Sequence, residues 1–412
     1  MTEKKLSIQS SIFWNTVGSM FYLACQWLIT VLVVRLSGVE TAGILSLCMS
    51  VCNIWYCIAV YGMRNFQVSD TLNRYSHGSY IFSRLISCGI AGIGCLLYTL
   101  AMPYDLITTI CILLYFLYKC SESVFDVYAG IFQKSWRLDL AGKSLLLRGV
   151  LTIGSFCILL PVTNNLPVTL AGMAVVCLTA ILLYDIPKAR KIASVKLDCR
   201  IPEVKHLFIE CFPLVVYTFL STAIGSIPKL FLERISGSYD LGVYSSVATP
   251  TLIIQMGATY IFNPFVTLFA ERYTQKDYHG FLSILKKCTL AVFGIAIAGV
   301  LGGKLLGVWG LNLLYGPEIA AYVELLIPLI LCTILTAFSW LLCGVLTATR
   351  QFRGLVIANV LAVISSIIFS PVLEKYFSMQ GASMALALAT ILEIIVLLIY
   401  LGKDLRVIKK HA

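Results

Sequence analysis

Charged residues are scarce in this chain of 412 residues. Only 12% are Asp, Glu, Lys or Arg, whereas a soluble domain carries about 25%. Hydrophobic residues make up 59% of the chain, and the mean hydropathy is +0.90. This balance is typical of a protein whose main solvent is lipid. It argues against a soluble enzyme and against a nucleic-acid-binding protein.

The motifs that would mark an enzyme or a metal site are also missing. Gly142-Lys143-Ser144 is only a fragment of a nucleotide-binding loop, because Arg137 stands where the upstream glycine belongs. HExxH and GxSxG are absent. The 15 cysteines form no CxxC pair and lie mostly in apolar stretches, which supports neither zinc nor a disulfide framework. We therefore predict a non-enzymatic protein without a cofactor or metal.

Apolar segments long enough to cross a bilayer as a helix recur along the whole chain. They are continuous and do not alternate with polar residues, which favours helices over barrel strands. We predict an all-α integral membrane protein of about twelve transmembrane helices. The predicted spans are 12–36, 41–63, 80–102, 106–129, 145–162, 167–186, 207–232, 241–268, 288–308, 319–346, 354–373 and 381–401.

The basic residues indicate how these spans are oriented. If the N-terminus is cytoplasmic, most of the 31 Lys and Arg residues fall in inner segments or, for a few, within spans. The outer segments hold only Arg35, Lys229, Arg234, Lys304 and Lys375. Because cytoplasmic loops collect Lys and Arg, both termini are predicted to be cytoplasmic. The net charge of +11 then needs no acidic partner.

A short signature occurs at corresponding places in the two halves. Arg35-Leu36-Ser37-Gly38-x4-Gly43 follows the first span, and Arg234-Ile235-Ser236-Gly237-x4-Gly242 follows the seventh. The shared orientation predicts parallel six-helix repeats, and transporters built this way place the substrate path between the halves. We predict an N-terminal lobe at 1–186, a basic cytoplasmic linker at 187–206 and a C-terminal lobe at 207–412, pseudo-symmetric around a central cavity.

Polar residues follow one face of each of the first two predicted helices. Asn15, Tyr22 and Gln26 belong to the first stripe, and Asn53 and Arg64 to the second. Lipid does not tolerate such a face, so each stripe either bonds to neighbouring helices or lines a water-filled cavity. The length of the stripes on adjacent helices favours the cavity wall.

Charged residues also lie within the third, fourth and fifth spans. Lys119, Glu122 and Asp126 share one helical face. Arg148 lies a few residues into the next span, and Arg84 lies early in the third. Pairing of Lys119 and Arg148 with Glu122 and Asp126 would offset the cost of burying these charges. These residues are therefore either structural charge pairs or a site for a coupling ion or a substrate headgroup.

Two stretches carry a family resemblance. The first runs from Asn15-Thr16-Val17-Gly18-Ser19 through Gln26 and Arg35-x2-Gly38-x4-Gly43 to Tyr61-Gly62-Met63-Arg64-Asn65-Phe66-Gln67-Val68-Ser69-Asp70. The second is Glu122-Ser123-x2-Asp126-Val127-Tyr128-x-Gly130-x2-Gln133-Lys134-x2-Arg137-Leu138-Asp139-x-Ala141-Gly142. In these residues the chain resembles the polysaccharide flippases of the MOP superfamily, the Wzx-type O-antigen and capsule-repeat transporters and their teichoic-acid relatives.

The resemblance implies a two-lobed bundle in which spans one, two, seven and eight line a central cavity. It implies a flippase of the bacterial cytoplasmic membrane that moves undecaprenyl-pyrophosphate-linked oligosaccharide repeat units by alternating access, for surface polysaccharide biosynthesis. On this reading Arg35, Arg64 and Arg84 would bind the pyrophosphate. Residues facing the glycan hydroxyls would be Asn15, Gln26, Asn53 and Gln255.

The expected partners are the lipid-linked oligosaccharide and membrane lipid, together with the polymerase and glycosyltransferases of the same glycan, but no nucleic acid. Two other functions stay open at this point. One is a cation-coupled drug or metabolite antiporter on the same scaffold. The other is a membrane glycan polymerase.

Overall fold

The computed structural model describes residues 8–70, 74–193, 195, 199–349 and 351–411. Every regular element in these ranges is helical, which confirms the predicted all-α class. Eight of the described helices are long and apolar enough to cross a membrane. Large side chains such as Leu97, Leu305 and Trp309 are 62%, 80% and 64% exposed on them. A bilayer is the solvent that suits such faces.

The chain divides into two compact units, Met1–Phe219 and Leu220–Ala412. The helices up to the boundary are α1 (Ile8–Val60), α2 (Met63–Ser69), α3 (His77–Ala101), α4 (Leu106–Lys134), α5 (Leu138–Thr163), α6 (Leu166–Ala180), a π-helix (Ile181–Asp185), α7 (Ile186–Ile192) and α8 (Ile201–Ser236), which crosses it. The second unit continues with α9 (Ser238–Ala248), α10 (Leu252–Thr274), α11 (Tyr278–Tyr315), α12 (Pro317–Ala320), α13 (Leu326–Ala348) and α14 (Phe352–His411).

The predicted linker at 187–206 contains most of α7 and the start of α8. Its positions 194 and 196–198 lie outside the described residues. The predicted lobe limits therefore stay a prediction.

Two of the long helices each contain a pair of spans. The backbone of α1 leaves helical geometry at Gly38, and that of α14 does so at Ser378. If each is counted as two, and α4 and the α9–α10 stretch are added as one span each to the other membrane-length helices, the described chain has about twelve helical spans, as predicted.

The repeated signature has the same backbone conformation in both halves. Gly38 has φ 86° and ψ 176°, and Gly237 has φ 89° and ψ 175°. Non-glycine residues hardly ever adopt this region of backbone space. In each copy the glycine separates the helix that carries the arginine from the next helix. The two signatures are thus the same turn, which supports the internal repeat.

Two glycines bring α1 and α5 into very close contact. A Cβ built on Gly18 would lie 2.1 Å from the carbonyl oxygen of Gly142, and one built on Gly142 would lie 2.1 Å from that of Trp14. Backbone therefore packs directly on backbone at this crossing. The close packing fixes the first helix against the fifth and positions the polar stripe of α1.

Short polar residues begin several of the helices. The side chain of Asp105 accepts hydrogen bonds from the amides of Ile107 and Thr108 at the start of α4, at 3.1 and 3.4 Å. Asp277 does the same for Gly280 at the start of α11, at 2.8 Å. These caps satisfy backbone donors that have no partner within the helix.

Candidate functional site

The two stretches that carry the family resemblance pack against each other in the first unit. Tyr61 and Gly62, both at positive φ, turn the chain so that α2 lies against α4. Gln67 is fully buried and donates a hydrogen bond to the carbonyl oxygen of Val127 at 3.2 Å. A Cβ on Gly130 would lie 2.2 Å from Gln67 Oε1, so glycine is needed there. The two sequence motifs therefore contact each other, through Gln67 of the first and Val127 and Gly130 of the second.

This contact aligns a carboxylate with two arginines. Arg64 Nη1 lies 3.2 Å from Asp126 Oδ1, and Arg84 Nη2 lies 2.9 Å from Asp126 Oδ2. Arg64 also donates through Nη2 to Gln133 Oε1 at 3.0 Å. The side chain of Arg64 is 33% exposed, whereas that of Arg84 is 1% exposed. We call Arg64, Arg84, Asp126 and Gln133 the arginine cluster.

Arg84 also holds the end of the first helical hairpin. Its Nη1 donates to the carbonyl oxygens of Ala59 and Val60 and, at 3.3 Å, to Ser123 Oγ. Carbonyls in the last turn of a helix lack partners within that helix, so the guanidinium caps the C-terminus of α1. Because Arg84 is buried, its observed contacts are structural. Its predicted role as a pyrophosphate ligand stays a prediction.

One turn away on α4, Lys119 and Glu122 form the pair that the sequence predicted. Lys119 Nζ lies 2.6 Å from Glu122 Oε2 and 5.2 Å from the centre of the Tyr56 ring. The other carboxylate oxygen accepts hydrogen bonds from the hydroxyls of Tyr22 and Tyr118. Tyr22 belongs to the polar stripe of α1. At Tyr22 the polar stripe of α1 therefore forms a hydrogen bond with the neighbouring helix α4, which is the first of the two predicted alternatives.

Arg148 does not join these pairs, so its predicted pairing with Glu122 or Asp126 was wrong. Its Nη2 lies 2.9 Å from Asp185 Oδ2, and both residues are fully buried. The guanidinium also lies 4.5 Å from the centre of the Phe125 ring. Asp185 ends the π-helix that follows α6. Sequence reasoning missed it because it stands at the end of a predicted span, where a carboxylate resembles an interfacial residue.

The other predicted site residues are placed as follows. Asn15, Gln26 and Asn53 are half-buried on α1, and Gln26 Nε2 has no hydrogen-bond partner among the described residues. Arg35 is exposed next to the Gly38 turn. Gln255 is half-buried on α10 in the second unit. The structure thus brings Arg64 and Arg84 together in one cluster, whereas Arg35 lies beside the Gly38 kink of α1 and is not part of it.

A polar cluster that the sequence did not single out joins the start of α8 to α3. The Tyr75 hydroxyl lies 2.5 Å from His206 Nδ1 and donates to Glu210 Oε2 at 3.2 Å. Ser79 Oγ donates to Glu203 Oε2 at 2.8 Å. Burial and the nearby Glu210 carboxylate raise the pKa of Tyr75 to about 12. The hydroxyl therefore stays a donor at neutral pH and supports this connection.

The ion pairs that Arg64, Arg84, Lys119 and Arg148 form do not balance completely. Lys119 is balanced by Glu122, and Arg148 by Asp185, but Asp126 faces two arginines. The arginine cluster therefore carries one excess positive charge, with Arg64 as its accessible member. Guanidinium groups bind carboxylates and phosphates through charge-assisted hydrogen bonds. Among the described residues, no group of three or more His, Cys, Asp and Glu could hold a metal ion.

Comparison with known sequences gives one extended similarity. The chain is 25% identical over 385 residues to the capsular polysaccharide biosynthesis protein CapF of Staphylococcus aureus, covering 92% of this chain and 95% of that protein. No family model matches the sequence.

Solved structures share the architecture over almost the whole chain. The inward-facing conformation of a multidrug resistance MATE family transporter of the MOP superfamily matches with a TM-score of 0.69 at 14% identity, covering 97% of this chain and 99% of that one. The chain has the fold of the MOP superfamily transporters. This confirms the fold that the resemblance implied.

Other proteins with this fold have different named functions. The lipid II flippase MurJ, in an inward closed conformation, matches with a TM-score of 0.68 at 14% identity, covering 96% of this chain and 89% of MurJ. A MOP superfamily transporter from Pyrococcus furiosus, described as having a binding pocket of reverse polarity, matches with a TM-score of 0.63 at 14% identity, covering 99% and 100%. The MOP fold thus occurs in both drug transporters and a lipid flippase.

Proposed function

We propose that this protein flips undecaprenyl-pyrophosphate-linked oligosaccharide repeat units across the bacterial cytoplasmic membrane by alternating access, for surface polysaccharide biosynthesis. The end-to-end similarity to CapF carries the proposal, because CapF is named for capsular polysaccharide biosynthesis. The fold shared with the lipid II flippase MurJ supports it. The CapF similarity favours a capsular glycan over an O-antigen of lipopolysaccharide.

The excess positive charge of the arginine cluster is consistent with an anionic lipid substrate. Arg64 is our proposed pyrophosphate ligand in this cluster, because a third of its side chain is exposed. Arg84 caps α1 and holds Asp126, so we propose that it positions Arg64. Arg35 is a second proposed ligand of the pyrophosphate. The proposed contacts of the glycan hydroxyls are Asn15, Gln26, Asn53 and Gln255.

A depletion strain tests the proposal. Cells that lose the protein should accumulate single lipid-linked repeat units on the cytoplasmic leaflet and lose surface glycan. Loss of a polymerase would instead leave single units on the outer leaflet. Re-expression of the wild-type chain is the positive control. Normal surface glycan in the depleted cells would rule out the flippase.

A cation-coupled drug or metabolite antiporter is the second candidate function. The specific observation in its favour is the similarity to a multidrug resistance MATE transporter. An antiporter predicts drug sensitivity in the depletion strain with unchanged surface glycan. The same strain therefore distinguishes the two functions.

We also propose that both termini are cytoplasmic and that the polymerase and glycosyltransferases of the same glycan act beside this protein. The distribution of Lys and Arg along the sequence supports the orientation. Isolation of the inner membrane and detection of the tagged protein there would test the location.

A further inference from the structure

A cavity of about 240 Å³ lies in the first unit, where the starts of α3 and α8 meet the end of α2. All the residues that line it belong to that unit, and none belongs to the arginine cluster. One water occupies about 30 Å³ in the liquid, so the cavity has room for a small organic group. The lining residues that decide its chemistry are Asp70, Arg74, Tyr75, Tyr80 and Glu210.

The cavity contains a buried hydroxyl group without a partner. Tyr80, in the first turn of α3, is 0% exposed, and its hydroxyl has no hydrogen-bond partner among the described residues. The Tyr75 ring meets the Tyr80 ring edge-on, with 5.9 Å between the ring centres. A buried hydroxyl that stays unpaired costs free energy. The Tyr80 hydroxyl therefore indicates that the cavity receives a polar group.

Two charged groups at the cavity have opposite signs and no full partner. Glu210 Oε2 accepts a hydrogen bond from the neutral Tyr75 hydroxyl at 3.2 Å, and His206 balances the carboxylate only when its imidazole is protonated. Arg74 donates its backbone amide to Asp70 Oδ1 at 3.0 Å, and its exposed side chain forms no ion pair among the described residues. Asp70, in contrast, already lies within ion-pair distance of a lysine. The cavity thus offers one carboxylate to a cation and one guanidinium to an anion.

The position of the cavity favours a lipid headgroup over a soluble ligand. The cavity lies at the start of α3 and of α8, and both helices are long and apolar enough to cross a membrane. Tyrosine is enriched at the depth where a bilayer meets water. Near Glu210 on α8, Ile209 is 61% exposed and Phe212 is 57% exposed. Acyl chains suit such side chains, which brings the headgroup of a neighbouring lipid to the cavity.

We propose that this cavity binds the headgroup of an aminophospholipid, a phosphate ester that carries a primary ammonium group. Glu210 accepts hydrogen bonds from the ammonium, Arg74 binds the phosphate, and the Tyr80 hydroxyl gains a hydrogen-bond partner. A choline headgroup has no N–H to donate, and a glycerol headgroup brings no cation to the carboxylate. The proposal concerns a lipid of the surrounding leaflet and not the transported substrate, so it does not depend on the proposed flippase function.

Native mass spectrometry of the full-length protein in phosphatidylcholine nanodiscs tests the proposal. The added lipids are phosphatidylethanolamine, its N-methyl and N,N-dimethyl forms, and phosphatidylglycerol. Occupancy should fall with each methyl group, because each one replaces an N–H donor.

Two substitutions separate the roles of the charged groups. Glu210→Gln keeps the shape but removes the charge, and should weaken binding of phosphatidylethanolamine about tenfold without weakening that of phosphatidylglycerol. Arg74→Gln should weaken binding of both lipids, since both carry a phosphate. Glu203→Gln is the matched control: Glu203 lies two turns earlier on α8 and does not line the cavity, so this variant should bind both lipids as the wild type does.

Four results would overturn the proposal. Equal occupancy by phosphatidylethanolamine and its methylated forms would show that the ammonium is not recognised. A wild-type preference in Glu210→Gln would show that the carboxylate is not a ligand, and an equal loss of both lipids in that variant would show a structural role. If soluble phosphoethanolamine displaced the bound lipid as well as a short-chain phosphatidylethanolamine does, the cavity would be a site for a soluble ligand.

Discussion

At the scale of single residues, the charged side chains within the first unit are organised around carboxylates. Spacing correctly predicted that Lys119, Glu122 and Asp126 share a face of α4, and the Lys119–Glu122 pair is confirmed. The partners of Asp126 come from α2 and α3, and the partner of Arg148 comes from the π-helix. These contacts depend on how each helix is rotated against its neighbours, which spacing within one helix does not determine.

Asp126→Asn should destabilise the protein strongly. The amide keeps the shape but removes the charge, and Arg84, at 1% exposure, would then be buried without a counter-charge. Leaving a buried charge unpaired costs about 3–5 kcal/mol. We expect a lower thermal unfolding temperature of the purified variant in detergent and less folded protein in the membrane.

Arg64→Gln is the matched control for this prediction. It removes the more exposed partner of Asp126 and should cost about 1 kcal/mol or less. In the double variant Asp126→Asn/Arg84→Gln the loss should be smaller than the sum of the two single losses, because the two side chains are directly coupled. An Asp126→Asn protein that unfolds at the wild-type temperature would contradict a structural role for the carboxylate.

At the scale of helices, the crossing of α1 and α5 depends on two small residues. The sequence places Gly18 in one motif and Gly142 in the other, but it does not reveal that the two glycines meet. Small residues let membrane helices approach closely and pack by van der Waals contact. The crossing therefore explains in physical terms why glycine stands at both positions.

Gly142→Ala should weaken this crossing. The new methyl group would lie 2.1 Å from the carbonyl oxygen of Trp14, so the helices would have to separate. Overpacking of this kind costs about 1–3 kcal/mol. Gly154→Ala on the same helix is the control, because nothing lies within 4 Å of its new Cβ. Thermal unfolding of the two variants side by side measures the difference, and equal stabilities would show that the crossing tolerates a side chain.

At the scale of the whole molecule, the sequence predicted the architecture better than the site. Continuous apolar runs gave the number and order of the spans, because lipid demands them. The runs underestimated helix length: α11 extends over Tyr278–Tyr315, beyond the predicted 288–308. Helices continue past the hydrocarbon region through residues such as Lys286 and Lys287, which an apolar criterion leaves out. The ion pairs of Asp126 with the arginine cluster and of Asp185 with Arg148 depend on contacts between elements, which apolar runs do not reveal.

The repeat of the whole molecule makes a paired prediction. Gly38→Ala and Gly237→Ala should each destabilise the protein by about 1–3 kcal/mol, since both glycines have a backbone conformation that alanine adopts only with strain. Neither site is crowded, because nothing lies within 4 Å of a built Cβ. Gly225→Ala, which is equally uncrowded but lies within the helical part of α8, is the control. Chemical or thermal unfolding should show similar losses for the first two variants and little loss for the third, whereas a loss at only one of the two signature glycines would contradict their equivalence.

The orientation of the molecule can be tested by fusions along the chain. Alkaline phosphatase, which is active only outside the cytoplasm, should be active when fused after Tyr104, in the turn between α3 and α4. It should be inactive after Arg200, at the start of α8, where a fluorescent protein fusion should instead fold. The reason is that Lys and Arg collect in cytoplasmic segments, and the segment 187–206 holds Lys188, Arg190, Lys191, Lys196, Arg200 and Lys205. Replacing the basic residues of this segment with glutamine should weaken its preference for the cytoplasmic side. The segments on the phosphatase-active side hold few Lys and Arg residues, so replacing those should change the orientation little. Strong phosphatase activity after Arg200 would show that the orientation is the opposite of the predicted one. The face of the protein that meets a substrate made in the cytoplasm would then be the opposite face as well.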